Sequence, residues 1–174
     1  MRIIKAPLNR DNILELKMGE EVLVEGVVYA ARDAAHKRMV EAIQAGEDLP
    51  FDATGQIIYY VGPCPAPPGR VIGSAGPTTS GRMDAYAPFL IERGLKVMIG
   101  KGPRNQEVIK AMQKHGAVYL AAVGGAGAYL AQKIVASEIV AYSDLGPEAL
   151  LKLEFKAFPC IVAIDAQGNN IYAK

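Results

Sequence analysis

The chain has 174 residues, 51% of them hydrophobic, and sets nineteen basic side chains against eighteen acidic ones for a formal charge of +1. That length suits one ordinary core, so a single domain over residues 1–174 is expected, and the balanced charge, without a lysine run or an aromatic stripe, argues against nucleic acid as a partner. The opening MRIIKAPLNRDNI lacks a signal-peptide pattern and no run of about eighteen apolar residues occurs, so the expectation is a soluble, cytoplasmic chain with no membrane partner.

Glu21 to Ala30, EVLVEGVVYA, is valine-rich and partly alternating, the pattern of a half-buried strand. From Asp33 the apolar positions Ala34, Ala35, Met39, Val40 and Ile43 recur at helical spacing, and Gly46 follows them as a terminator. Gly55 opens QIIYYVGP, a short apolar run that reads as a buried strand. PCPAPPGRVIGSAGP is too proline-rich for helix, yet RVIGSA inside it reads as another short strand. A helical MDAYAPFLIERG, a strand LKVMIG, a helix PRNQEVIKAMQKHG and a strand AVYLAAVGG follow. The last third predicts four strands with little helix, KIVASEIVAY, ALLKLEFKAF, PCIVAIDA and NNIYAK, with AQGNN as a hairpin turn. The order predicts an α/β fold: a mixed, partly parallel sheet, flanking helices and a β-rich C-terminal part.

The stretch whose residue types best suit chemistry is GPTTSGRMD at 76–84, between a predicted strand and a predicted helix. Unpaired amides at a helix start carry partial positive charge and attract anions. Thr78, Thr79 or Ser80 could cap such a helix, while Arg82 could grip a carboxylate or phosphate with its planar fork. A plain helix cap and an anion site holding a reactive hydroxyl both account for the pattern. Arg32 stands at the first strand–helix junction and Lys101 at GKGPRN after LKVMIG, so parallel strands would bring Arg32, Arg82 and Lys101 to one sheet edge. His36 lies one helical turn after Arg32, partly exposed on the same face, where it could orient or neutralise a ligand.

Other motifs exclude more than they suggest. GGAGAY at 124–129 lacks the spacing of a dinucleotide fingerprint and reads as a tight turn, and GKGP lacks the flanking residues of a phosphate-binding P-loop. Cys64 and Cys160 form neither a CxxC pair nor a disulfide framework and are expected to be reduced structural thiols. No metal ligand is expected from this chain.

Four blocks resemble a known family in order and spacing: VEGVVYAARDAAHKRM, FDATGQIIYYVGPCPAPPGRVIGSAGPTTSGRMD, GLKVMIGKGP and FKAFPCIVAIDAQGN. The family is the β subunit, or carboxy-terminal domain, of iron–sulfur-dependent class I fumarate hydratase and L-tartrate dehydratase. The resemblance covers nearly the whole chain, and ARDAAHKR and GPTTSGRMD are its most specific blocks. It implies a swivelling domain of β/β/α type, working in a hetero-oligomer with an α subunit whose three cysteines hold a [4Fe-4S] cluster with one iron open to substrate. The implied reaction is reversible addition of water to a small dicarboxylate, fumarate to L-malate, with L-tartrate as the alternative. A Lewis-acidic iron would polarise the departing hydroxyl while a base removes the proton next to a carboxylate. Arg32, Arg82 and Lys101 match the family's substrate-carboxylate contacts, and Thr78 matches the threonine proposed as catalytic base. His36, Thr79, Ser80 and Gly81 are left as groups that line the site or support it from behind, with Thr79 and Ser80 also able to cap. A neutral threonine is a weak base, so Thr78 would need help from nearby cations, the helix terminus and an aspartate of the α subunit. A reading of another class is a non-catalytic module that binds a carboxylate or serves assembly.

Overall fold

The structure, a computed structural model, describes residues 1–123 and 127–173. Its elements are β1 (Arg2–Lys5), α1 (Arg10–Leu14), β2 (Glu21–Ala30), α2 (Asp33–Gln44), β3 (Ile57–Tyr59), α3 (Ala87–Glu92), β4 (Val97–Gly100), α4 (Gln106–His115), β5 (Val118–Ala122), α5 (Gly127–Ala131), β6 (Ile134–Ala141) and β7 (Leu150–Ile164). Two 3-10 turns cover Ser80–Met83 and Ser143–Glu148.

The valine-rich and isoleucine-rich runs become β2, β3, β4 and β5, neighbours in parallel register. β3 and β4 read as unbroken apolar stretches because both of their faces are covered, whereas β2 alternates buried and half-buried positions. Alternate residues serve different layers. Ile57, Tyr59, Val97, Ile99, Val118 and Leu120 join one core, while Ile58, Tyr60, Met98 and Tyr119 pack against apolar residues of α2, α3 and α4 in a second. Aromatic rings fill the first core: Phe155 stacks on Phe158 at 4.1 Å between centroids, and Tyr59 meets both edge-on.

β7 turns this sheet into a ring. It pairs antiparallel with β5 on one side and with β2 on the other, so β2, β3, β4, β5 and β7 close on themselves. The strand can do this because its ladder with β2 is interrupted between Val24 and Gly26, opposite Ala157 at φ 52, and such irregularities bend a strand. β1 extends the first half of β2, and β6 pairs with the first half of β7.

Several expectations needed correction. ALLKLEFKAF and PCIVAIDA form one strand, since Pro159 sits next to the bend and still accepts from the Val123 amide through its carbonyl at 3.0 Å. RVIGSA is not a strand. It runs irregularly beside the proline segment, tied by the Cys64 amide to the Ser74 carbonyl at 2.9 Å, with Ile72 and Ala75 buried. The helix expected from Met83 begins only at Ala87, where Pro88 fits the first turn and needs no partner for its nitrogen. NNIYAK makes a single bridge, Ile164 to Asn170, because Asp165 gathers the amides of Gln167 and Asn169 into a turn. β1 and α1, too short to announce themselves, were not anticipated. The tight turn expected at 124–129 lies partly outside the described residues. Among the described residues no helix is long and apolar enough to cross a membrane.

Candidate active site

Because β2, β3 and β4 are parallel neighbours, the segments that leave their C-terminal ends lie side by side. The GPTTSGRMD segment threads between two of them. The Thr78 amide donates to the Tyr60 carbonyl at 2.7 Å, the Ser80 amide donates to the Lys101 carbonyl at 2.8 Å, and Thr79 bridges Lys101 in parallel register. Thr78–Ser80 thus forms an extended rung rather than the start of an α-helix. The fit depends on Gly100, where any Cβ would collide with the Ser80 hydroxyl.

This geometry separates three hydroxyls that the sequence leaves alike. None of them caps: Thr79 occupies the N-cap of the 3-10 turn without a side-chain bond. Ser80 is fully buried, sharing a 2.7 Å hydrogen bond with the Tyr119 phenol, which also reaches the Gly102 carbonyl at 2.8 Å. Ser80 therefore neither caps nor lines the site and lies behind the rung against Tyr119. Thr79 and Gly81 are exposed, and Thr78 is half-buried. A 3-10 turn of four residues also offers little dipole, so the charge at this site comes from side chains.

Two of the three expected cations, Arg32 and Arg82, meet around one carboxylate. Arg32 is the N-cap of α2, and its side chain crosses Gly62, where a Cβ would come within 2.8 Å of Arg32 Cδ. Asp33, the first residue of α2, accepts from Arg82 Nε at 3.0 Å and Nη2 at 2.8 Å through Oδ2, while its Oδ1 lies 3.8 Å from Arg32 Nε. Glu148 Oε1 stands 3.7 Å from the same Arg32 nitrogen. Asp33 thus joins Arg32 to Arg82, while Lys101 is exposed and its backbone bridges Thr79. Half of the Arg82 side-chain surface is exposed, so its ion pair adds at most about 1 kcal/mol to stability. The cluster is better explained by what it can bind.

His36 is buried rather than partly exposed. Its Nδ1 lies 2.9 Å from the Arg32 carbonyl and its ring meets Tyr60 edge-on at 5.3 Å. Burial, with a smaller push from the Arg104 charge, lowers its pKa to about 4 against the opposing pull of the Arg32 carbonyl and Asp33. The ring is neutral at pH 7, so it cannot neutralise an anion; it holds the backbone from which Arg32 projects.

Beneath the rung lies a group that sequence reasoning missed. Arg104 Nε pairs with Asp84 at 2.7 Å, its Nη2 donates to the Tyr60 phenol at 3.1 Å, and its guanidinium lies 5.1 Å from the Tyr60 ring and 4.8 Å from the Tyr119 ring. Asp84 also accepts from the Asn105 amide at 2.8 Å, tying the turn to the start of α4. Burial pushes both phenols up, so each stays protonated as a donor at neutral pH. The terminal Asp of GPTTSGRMD was the available signal, yet its partner lies two elements away. Asp33 and Glu148 were missed for the same reason.

Cys64 is exposed in the proline-rich loop and Cys160 is buried in the ring. Among the described residues no three His, Cys, Asp or Glu side chains gather as a metal-ligand set.

Comparison with known proteins gives this arrangement a context. The family model described as Fumarase C-terminus matches residues 2–174. An Escherichia coli protein named fumarate hydratase class I, anaerobic, is 38% identical over 177 residues, covering 97% of this chain and 32% of its own length. Leishmania major fumarate hydratase 2 is 37% identical over 175 residues, covering 98% and 31%. A Methanocaldococcus jannaschii protein, whose name provisionally assigns it as L(+)-tartrate dehydratase subunit beta, is 40% identical over 171 residues, covering 95% and 88%. The chain spans about a third of the fumarate hydratases it matches and most of the archaeal protein.

Proposed function

The chain belongs to the fumarase C-terminus family, and from that premise we propose that it is the β part of a class I hydro-lyase interconverting fumarate and L-malate. Residues 1–174 act as one swivelling domain in the cytoplasm, closing on an α subunit that carries the [4Fe-4S] cluster. The cysteines here do not fit that cluster, one alone in a loop and one buried in the ring, so its ligands are assigned to the α subunit. This chain contributes carboxylate binding and proton transfer.

The observation that carries the reading is the meeting of Arg32 and Arg82 through Asp33, beside the Thr78–Ser80 rung that ends against Lys101. A dicarboxylate presents two anionic ends, and three cations at one edge can hold both. Removing a proton from the carbon next to a carboxylate builds negative charge on that carboxylate. Fixed cations then stabilise the transition state more than the ground state. Thr78 takes this proton. Its backbone is fixed by the Tyr60 carbonyl, and neighbouring positive charge favours the alkoxide it needs.

L-tartrate is the second reading, favoured by the archaeal relative, whose length this chain nearly fills. The test is anaerobic reconstitution with the α subunit, then parallel assays on fumarate, L-malate and L-tartrate. Turnover of the fumarate–malate pair is expected. Turnover of tartrate alone transfers the assignment to the second reading, and binding without turnover of any of the three overturns the enzyme assignment.

A further inference from the structure

Among the described residues four buried polar side-chain atoms lack a hydrogen-bond partner, and three of them cluster: Asp33 Oδ1 and Glu148 Oε1 both lie beside Arg32 Nε. Buried ionic atoms are costly to leave unpaired, so a cluster of them calls for a reason. The separations of 3.7 and 3.8 Å fall about 1 Å beyond a charged hydrogen bond. Arg32 is therefore flanked by two carboxylates along its inner edge, held between them by charge and hydrogen-bonded to neither. Arg82 differs, because Asp33 Oδ2 engages its Nε and Nη2 together.

Glu148 comes from far along the chain, at the end of the 3-10 turn between β6 and β7. That turn is pinned to α2 by Arg38, whose two terminal nitrogens meet the two oxygens of Asp144 at 2.8 and 2.9 Å. Helix α2 thus carries Arg32 and Asp33 at its start and, further along the same helix, the clamp that sets where Glu148 stands.

Resting on the functional reading above, we propose that Asp33 and Glu148 are positioning residues, a carboxylate pair that sets Arg32 and Arg82 side by side with their outer nitrogens turned toward a substrate carboxylate. Two guanidinium groups brought this close repel each other unless anions lie between them. Asp33 serves both arginines, and Glu148 serves Arg32 alone. Removing either charge leaves the positive potential of the site intact and removes its order.

The test uses Asp33→Asn and Glu148→Gln, each read in two ways. In the complex reconstituted with the α subunit, kcat falls by about tenfold or more, because a misplacement near 1 Å has that effect on the reacting geometry. KM stays within about threefold, since the cations that attract the dianion remain. In the full chain alone, NMR of the arginine Nε–H groups loses the rigid signals of both Arg32 and Arg82 in Asp33→Asn, and of Arg32 only in Glu148→Gln. An unchanged kcat overturns the proposal, and so do Nε–H signals as rigid as in the parent. If Asp33→Asn does not fold, Glu148→Gln decides the question on Arg32. If the parent complex turns over no dicarboxylate, the functional reading fails, while the NMR readout still decides whether the carboxylates order the arginines.

Discussion

Between pH 7 and pH 5 the burial of His36 should cost the fold stability. An unfolded chain protonates this histidine near its ordinary value of 6.5, whereas the folded chain holds it down to about 4. As pH falls through 6.5 the unfolded state takes up a proton that the folded state refuses, so stability declines; the decline ends once the pH is below about 4 and both states are charged. With these two values the loss reaches about 2 kcal/mol at pH 5 and about 3 kcal/mol at full extent. Other groups titrate in the same range, so the comparison is with His36→Asn, whose amide can still donate to the Arg32 carbonyl but carries no charge. Urea unfolding of both proteins at pH 7, 6 and 5 isolates the histidine as the difference between their pH slopes. Slopes that agree within about 0.5 kcal/mol, or a His36 ring that titrates near its ordinary value by NMR, would refute the reasoning.

Arg104→Met leaves Asp84, only 12% exposed, without its ion-pair partner, and chemical denaturation should record a loss of about 3 kcal/mol. A loss under about 1 kcal/mol means that the pair is not holding the turn. Gly62→Ala places a methyl 2.8 Å from Arg32 Cδ and 2.9 Å from its Nη1. The assembled enzyme should lose about tenfold in kcat/KM while Tm moves by no more than a few degrees; unaltered kinetics would show that Arg32 does not work from this position. Ser80→Ala removes a buried bond to Tyr119 and should lower stability by about 1 kcal/mol in the same denaturation assay.

Periodicity and helix stops carried most of the fold. β2 and α2 were legible because valine alternation gives way to helical spacing at Asp33, and Gly46 ends α2 in left-handed backbone at φ 75, as its position suggested. Ring closure was not legible, because it rests on β7 pairing with β2 across most of the chain and on a bend that Pro159 disguised as a strand end. At the site, the strand–helix junctions pointed to the edge where Arg32 and Arg82 meet through Asp33, while Lys101 reaches the same rung through its backbone. The partners that bring them there were hidden: Asp33 looked like an ordinary helix start, and nothing in SDLGPE points to Arg32. The burial of Ser80 and His36 was also hidden, since both follow from how the rung and α2 pack over Tyr60 and Tyr119.

The central claim is that Thr78, held among these cations, moves the proton, and the turnover of two threonine and serine variants tests it most directly. In the reconstituted complex, Thr78→Ala should lose about a hundredfold or more in kcat, the range of a missing general base. Ser80→Ala, two residues away and sealed beneath the rung, should keep kcat within about threefold of the parent, since its hydroxyl lies outside the reacting geometry. A Thr78→Ala complex that turns over as fast as Ser80→Ala would contradict the account.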